Sequence, residues 1–163
     1  MESKRLDYRR FERESFQEYF SLTGDGQVMR MITGKPAKEE DAKQKFDEIL
    51  ALQLTDPKFG YFRVLKKDNQ AFIGLAKIVQ IAPDVAEIGY SLRPEHWGNG
   101  YGSEICTFLI SASRQIKNIV KLTAIIDPDN LASARILQKN GFLLVKSGVL
   151  DGLPAEIYDL VLH

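Results

Sequence analysis

The chain has 163 residues, 44% apolar and 27% charged, which is the composition of a globular protein long enough for one real core. Acidic and basic residues number 22 each, so there is no general electrostatic drive toward nucleic acid or an anionic membrane, and neither partner is expected. The single cysteine, Cys106, excludes an internal disulfide and fits a reducing compartment.

The first ten residues are charged throughout and lack an apolar signal core. No apolar run approaches the roughly 20 residues of a membrane helix. Cytoplasm is therefore the expected compartment. Lys4 to Arg10 reads as a short edge strand. Glu12 to Leu22 reads as a helix with Phe16, Tyr19 and Phe20 on one face, stopped by Thr23-Gly24-Asp25-Gly26. A second helix is expected from Ala37 to about Leu54, with Ala42, Phe46, Ile49 and Leu50 facing inward. The period then changes. Phe59 to Leu65 and Ala71 to Ile81 read as a hairpin around the polar turn Lys66 to Gln70. After Ala82-Pro83-Asp84, the run Val85 to Leu92 should pair antiparallel with the strand before it.

Three glycines follow at 98, 100 and 102, and then a run in which Ile105, Leu109, Ala112 and Ile116 recur at helical spacing, ending near Lys117-Asn118. Val120 to Ile126 is apolar and of strand length. A helix crosses between it and Val85–Leu92, so the two should lie parallel. Asp127-Pro128-Asp129-Asn130 breaks the chain. Leu131 to Asn140 reads as a helix, with Asn130 or Asp129 as N-cap and Gly141 as the left-handed stop. Phe142 to Lys146 and Ala155 to Leu162 close the order as two strands around Asp151-Gly152. The expectation is a single domain over 1–163: a mixed α/β fold, its mostly antiparallel sheet of about seven strands flanked on both faces by about four helices.

Strand, glycine loop, helix aims bare N–H groups at phosphate. Glycine lets backbone approach, and the first turn of a helix carries unpaired donors and partial positive charge. The loop is expected to hold the pyrophosphate of a nucleotide-like cofactor. A P-loop would place Lys and Ser or Thr after its last glycine; here Ser103-Glu104 follows Gly102, so a nucleotide triphosphatase is disfavoured. Asp127 stands where a dinucleotide fold would put its ribose acid. However, Ser103 replaces the third glycine of that fingerprint, and only 36 residues follow Asp127, too few for the second half of a doubly wound sheet.

Trp97-Gly98-Asn99-Gly100-Tyr101-Gly102 before a helix, then Asn130-x-x-Ser133 and Lys139-Asn140-Gly141-Phe142, resembles the GNAT superfamily of N-acetyltransferases. The Glu87-Ile88-Gly89-Tyr90 run, the Trp97-Gly98 start and the Asn-x-x-Ser helix look most like its ribosomal-protein N-acetyltransferase (Rim-type) branch. The resemblance covers essentially the full chain and implies acetyl-CoA as donor, a primary amine as acceptor, a central β-α-β acetyl-CoA site and a possible homodimer. Leu137 stands where many relatives carry a tyrosine general acid, so no tyrosine acid is expected from that helix.

On that resemblance, the amides of Gly98, Asn99, Gly100, Tyr101, Gly102 and Ser103 would cap the CoA pyrophosphate. The strands Val85–Leu92 and Val120–Ile126 should splay at their C-terminal ends. Backbone groups near Ser91 and Leu92 would then pair with the pantetheine arm, and the Leu92 amide could hold the tetrahedral oxyanion. The attacking amine, with an ordinary pKa near ~10, must be neutral. Glu87 is the candidate base, directly or through water, against a plain reading as a solvated strand residue. Ser133, at a positive helix end, is the candidate donor to the leaving thiolate, whose pKa is near ~8.5. Asn130 could both cap its helix and touch the pantetheine amides. Trp97 is expected to pack near the cofactor mouth, His96 to be an exposed loop residue, and Cys106 to be a buried inert thiol. No Cys/His cluster has metal-ligand spacing. The acceptor pocket is expected between Gly24–Pro36 and a Ser147–Pro154 loop, with a protein N-terminal amine, a polyamine and an amino-sugar antibiotic all open as acceptors. The alternatives are a non-catalytic acyl-CoA-binding or regulatory module of the same fold and, less favoured, a dinucleotide-dependent oxidoreductase.

Overall fold

A computed structural model describes residues 3–163; Met1 and Glu2, the start of the charged N-terminal stretch, lie outside the described residues. In chain order the elements are β1 (Leu6–Arg10), α1 (Phe16–Thr23), α2 (Gly26–Met29), α3 (Glu39–Thr55), β2 (Gly60–Lys66), β3 (Phe72–Ala82) and β4 (Val85–Leu92). Then come α4 (Tyr101–Arg114), β5 (Lys121–Ile126), α5 (Leu131–Lys139), β6 (Leu143–Leu150) and β7 (Leu153–Val161). The seven strands form one mixed sheet in the order β1-β2-β3-β4-β5-β7-β6. Only β4 and β5 run parallel, because α4 carries the chain back between them. No helix among the described residues is long and apolar enough to cross a membrane.

The element types follow the hydrophobic periods, with four departures. The helix expected from Glu12 begins instead with a 3-10 turn at Arg13–Ser15. There the Glu12 amide donates to Ser15 Oγ and the Ser15 amide to the Glu12 carbonyl, both at 2.9 Å. Second, α2 is a fifth helix where about four were expected. Asp25 caps it by accepting from the amides of Gln27 and Val28 at 2.8 and 3.2 Å. Third, α4 stops at Arg114 rather than near Lys117-Asn118. Tight turns from Ala112 to Ile119 replace it and still bury Ile116 and Ile119. Fourth, the Ser147–Pro154 loop is a hairpin. Strand β6 runs to Leu150, and Asp151 (φ 51°) with Gly152 (φ 79°) makes a two-residue turn whose positive φ values match strand twist.

Two cores lie on opposite faces of the sheet. On one, Ile105, Leu109 and Leu137 of α4 and α5 pack on Ala76, Ile78, Ala86, Ile88 and Leu122. On the other, Tyr19 and Leu22 of α1 and Ala42, Phe46 and Ile49 of α3 pack on Leu65, Phe72 and Leu75. Each fully buried aliphatic side chain contributes about 1.5–3 kcal/mol by leaving water.

The feature that places the site is a parting of strands. The β4–β5 ladder has three rungs, Val85↔Lys121, Ala86↔Leu122 and Glu87↔Thr123. Beyond Glu87, β4 stays with β3 as far as Leu92, and beyond Thr123, β5 stays with β7 as far as Ile126. The splay expected from the sequence is present.

Candidate active site

The register of β4 decides which backbone groups face the gap. The Arg93 amide donates to the Ile73 carbonyl at 2.8 Å, continuing the β3–β4 register. In an antiparallel ladder this alternation turns odd-numbered amides toward β3 and those of Ile88, Tyr90 and Leu92 toward the gap. Of the pair Ser91 and Leu92, only Leu92 therefore offers its amide to the cleft. Ser91 spends its backbone groups on β3, which corrects the expectation of pairing there. The Leu92 carbonyl accepts from Trp97 Nε1 at 2.8 Å. Trp97 is half exposed and fastens the glycine loop to the end of β4. His96 lies in a 3-10 turn, half-buried with its ring edge-on to Tyr101, rather than as an exposed loop residue.

The loop enters α4 through Gly100, whose φ of +80° makes it a left-handed N-cap. The Asn99 side-chain amide donates to the carbonyls of Trp97 and His96 at 3.0 and 3.3 Å, which holds the loop. Gly98, Asn99, Gly100 and Ser103 are exposed, and Tyr101 is half-buried. Gly102 is buried, and a Cβ there would sit 3.1 Å from Ile136 Cδ1 and from the Tyr90 ring and hydroxyl. The absent side chain brings the first turn of α4 down onto β4 and α5.

The first turn of α5 faces the same gap. Asn130 is the N-cap, its Oδ1 accepting from the Ser133 amide at 3.1 Å. Ser133 Oγ lies 3.3 Å from the Tyr90 hydroxyl. The cleft between the strands is lined by Ile88, Gly89, Tyr90, Asn130, Ser133 and Leu137, with Cys106 at its floor. Burial pushes the Tyr90 phenol above its ordinary value, partly offset by the Ser133 hydrogen bond, so it is protonated at neutral pH. Burial also pushes the fully enclosed Cys106 thiol up to about 12, which leaves it protonated and inert. Leu137, 3% exposed, supplies apolar wall to the cleft.

Glu87 lies apart from these groups. It is on the last paired rung, and its side chain projects from the opposite face of β4, where the Lys77 ammonium donates to its carboxylate. Lys77 stands opposite Gly89 in the ladder, and a Cβ at Gly89 would lie 2.9 Å from Lys77 Cε. Glycine at 89 is what lets the lysine cross to Glu87. Neither reading of Glu87 from the sequence, free base or solvated residue, anticipated this ion pair. At the mouth, Met31 and Ile32 line the cleft, and a Cβ at Gly34 would lie 3.7 Å from Leu153 Cδ2. The connection after α2 thus meets the start of β7.

Tyr90 and Lys77, the contact partners of Ser133 and Glu87, are the site neighbours that sequence reasoning missed. Strand alternation put Tyr90 on the face of Leu92, but nothing local marked its hydroxyl. Lys77 could have been found by counting back across the Ala82-Pro83-Asp84 turn to the residue opposite Gly89.

A family model described as the acetyltransferase (GNAT) domain matches residues 5–143. An uncharacterized N-acetyltransferase of Bacillus subtilis (strain 168), YoaA, is 26% identical, with 99% of this chain and 96% of the relative covered. Spermidine N-acetyltransferase from Vibrio cholerae, solved with CoA and spermine, superposes with a TM-score of 0.80 at 17% identity, covering 96% of this chain and 95% of that one. RimL, the ribosomal L7/L12 alpha-N-protein acetyltransferase solved with coenzyme A, gives 0.81 at 17% identity over 98% and 96%. At such identities the superpositions show the fold alone, and a polyamine enzyme fits as well as a Rim-type one.

Proposed function

The chain belongs to the GNAT acetyltransferase family, and we propose that it moves an acetyl group from acetyl-CoA to a primary amine by direct attack in a ternary complex. The observation that carries this reading is the parting of β4 and β5 after Glu87↔Thr123, with the first turns of α4 and α5 both opening onto the gap. An extended acyl-pantetheine arm fits such a gap as a surrogate strand. The whole chain, 1–163, is taken as one catalytic domain.

The donor would be held at two places. Amides of the loop and first turn, Gly98 to Ser103, grip its diphosphate, and Asn130 and the free edge of β4 take its amides. When bound, it supplies an activated thioester carbonyl. Of the gap-facing amides of β4, those of Ile88 and Tyr90 would donate to that carbonyl oxygen and to the charge that develops on it, because they stand beside Glu87; Leu92, five residues and ~16 Å further along the strand, would serve the pantetheine arm instead. Glu87 accepts the proton of the amine, directly or through a water, and Lys77 fixes the direction of its carboxylate. Ser133 donates to the leaving sulfur, its hydroxyl oriented by protonated Tyr90. Leu137 and Cys106 keep the cleft apolar around that sulfur.

The acceptor enters between the 30–36 connection and the β6–β7 hairpin. A protein N-terminal amine, in the Rim manner, and a polyamine are the acceptors to try first. A homodimer would use β6, one of the two edges of the sheet, where Leu143, Leu144, Val145, Val149 and Leu150 are all exposed.

The test is an amine panel at pH 8 that follows CoA release. Turnover of at least one primary amine is expected. One observation favours a second reading, a non-catalytic acyl-CoA-binding module: Glu87, the candidate base, is already ion-paired. Stabilisation by CoA together with no turnover of any amine would establish that module instead.

A further inference from the structure

Glu104 lies in the first turn of α4, the end that this reading assigns to the diphosphate of acetyl-CoA. A carboxylate there competes with an anionic ligand for the same positive helix end. The fold disposes of it completely. Glu104 Oε1 accepts from the Arg5 amide at 2.5 Å and from Ser3 Oγ at 2.6 Å, and Oε2 accepts from Arg5 Nε at 2.9 Å. The rest of the Arg5 side chain goes to the loop. Nη1 donates to the Asn99 carbonyl at 2.9 Å, the guanidinium carbon lies 4.3 Å from the centre of the Tyr101 ring, and Nη2 stands 3.4 Å from where a Gly100 Cβ would be. One arginine, just before β1, contacts residues 99, 101 and 104 and stands over the space a side chain at 100 would take. Burial alone would raise the Glu104 carboxyl. The bonds from Ser3 and Arg5 and the Arg5 charge outweigh it and hold the group below the usual glutamate range. The Arg5 side chain is 45% exposed, so the pair adds only a small amount to fold stability.

We infer that Arg5 is a positioning residue for diphosphate binding: it draws the Glu104 carboxylate off the end of α4 and braces the glycine loop in the shape that presents its amides. The inference rests on the glycine loop being the acetyl-CoA site. It assigns Arg5 an effect on one part of the donor only. A donor lacking the diphosphate, S-acetylpantetheine, should not sense it.

The experiment compares wild type, Arg5→Ala, Arg5→Lys and Arg5→Ala/Glu104→Gln with acetyl-CoA and S-acetylpantetheine. If wild type turns over no amine, CoA and pantetheine titrations give the same readout. Arg5→Ala should raise KM for acetyl-CoA about ten-fold, equivalent to ~1.4 kcal/mol, with kcat within about two-fold and KM for S-acetylpantetheine unchanged. Adding Glu104→Gln should recover most of the loss, since no carboxylate is then left to repel the ligand. Arg5→Lys keeps the charge without the fork and should fall between, which covers the case that the alanine variant does not fold. Unchanged acetyl-CoA affinity in folded Arg5→Ala or Arg5→Lys, an equal loss for both donors, or no rescue by Glu104→Gln overturns the inference. Wild type failing to bind CoA at all defeats the acetyl-CoA reading itself, a result distinct from these.

Discussion

On the α4 side of β4, Ala86, Ile88, Tyr90 and Leu92 face an apolar core, and at the cleft Tyr90 and Ser133 share a hydrogen bond. On the other side, Glu87, Gly89 and Ser91 share a surface with Lys77 and carry an ion pair. One strand thus separates a neutral compartment, suited to a long thioester, from a charged one suited to an amine that must lose a proton. Under the proposed function, donor and acceptor would meet across the strand rather than along it. Substitutions should therefore fail in ways set by their position. Changes at the end of α4 should spoil affinity for acetyl-CoA, and changes beside the reacting atoms, Glu87 on one side and Ser133 on the other, should spoil turnover.

The largest effect is expected from Gly102→Val. Its side chain would press on Tyr90 and Ile136, both 3.1 Å from the Cβ, and lift the first turn of α4 from the cleft. Thermal shift with CoA should disappear, with affinity down about 100-fold, while circular dichroism confirms the fold. Retained affinity would detach the donor from this side of β4. Next, Glu87→Gln should lower kcat about 100-fold with KM for acetyl-CoA within about two-fold, the mark of a group that acts on the acceptor alone. Full activity at saturating amine would remove Glu87 as base. Ser133→Ala should cost about ten-fold in kcat and Tyr90→Phe less. The double variant should be no worse than Ser133→Ala, because both changes break one hydrogen bond; simple additivity would deny that Tyr90 acts through Ser133.

The smallest effect concerns acid stability. The native Glu104 carboxyl is held below its unfolded value, so the unfolded chain binds the proton more readily at mildly acidic pH. Its stabilising contribution is complete above the ordinary glutamate pKa and is lost as pH falls through the lowered native value. Glu104→Gln should therefore flatten the acid limb of a Tm-versus-pH curve between about pH 5 and 3 and leave the region above pH 6 parallel to wild type. An unaltered acid limb would show that the pair with Arg5 carries no linkage.

Strand and helix periods are local properties, and they were legible in the chain. Val85–Leu92 was bounded correctly because a Pro-Asp turn precedes it and Arg-Pro follows it. Asn130 and Gly141 marked both ends of α5 for the same reason: capping chemistry acts within a few residues. The two-sided core could also be read, from the helical spacing of Ile105 and Leu109 on one side and of Ala42, Phe46 and Ile49 on the other. The short α2 went unread because one Asp25 cap over four residues leaves no period to detect. What only the tertiary structure decided are contacts between residues distant in sequence. Lys77 reaches Glu87 by a diagonal of the β3–β4 register, Tyr90 meets Ser133 across 43 positions, and Arg5 reaches Glu104 across 99. None leaves a trace at its own position, because an ion pair or a hydrogen bond depends on where the sheet brings two side chains. The sequence specified which groups could do chemistry here; the folded sheet determined which of them are in contact and on which side of β4 each one works.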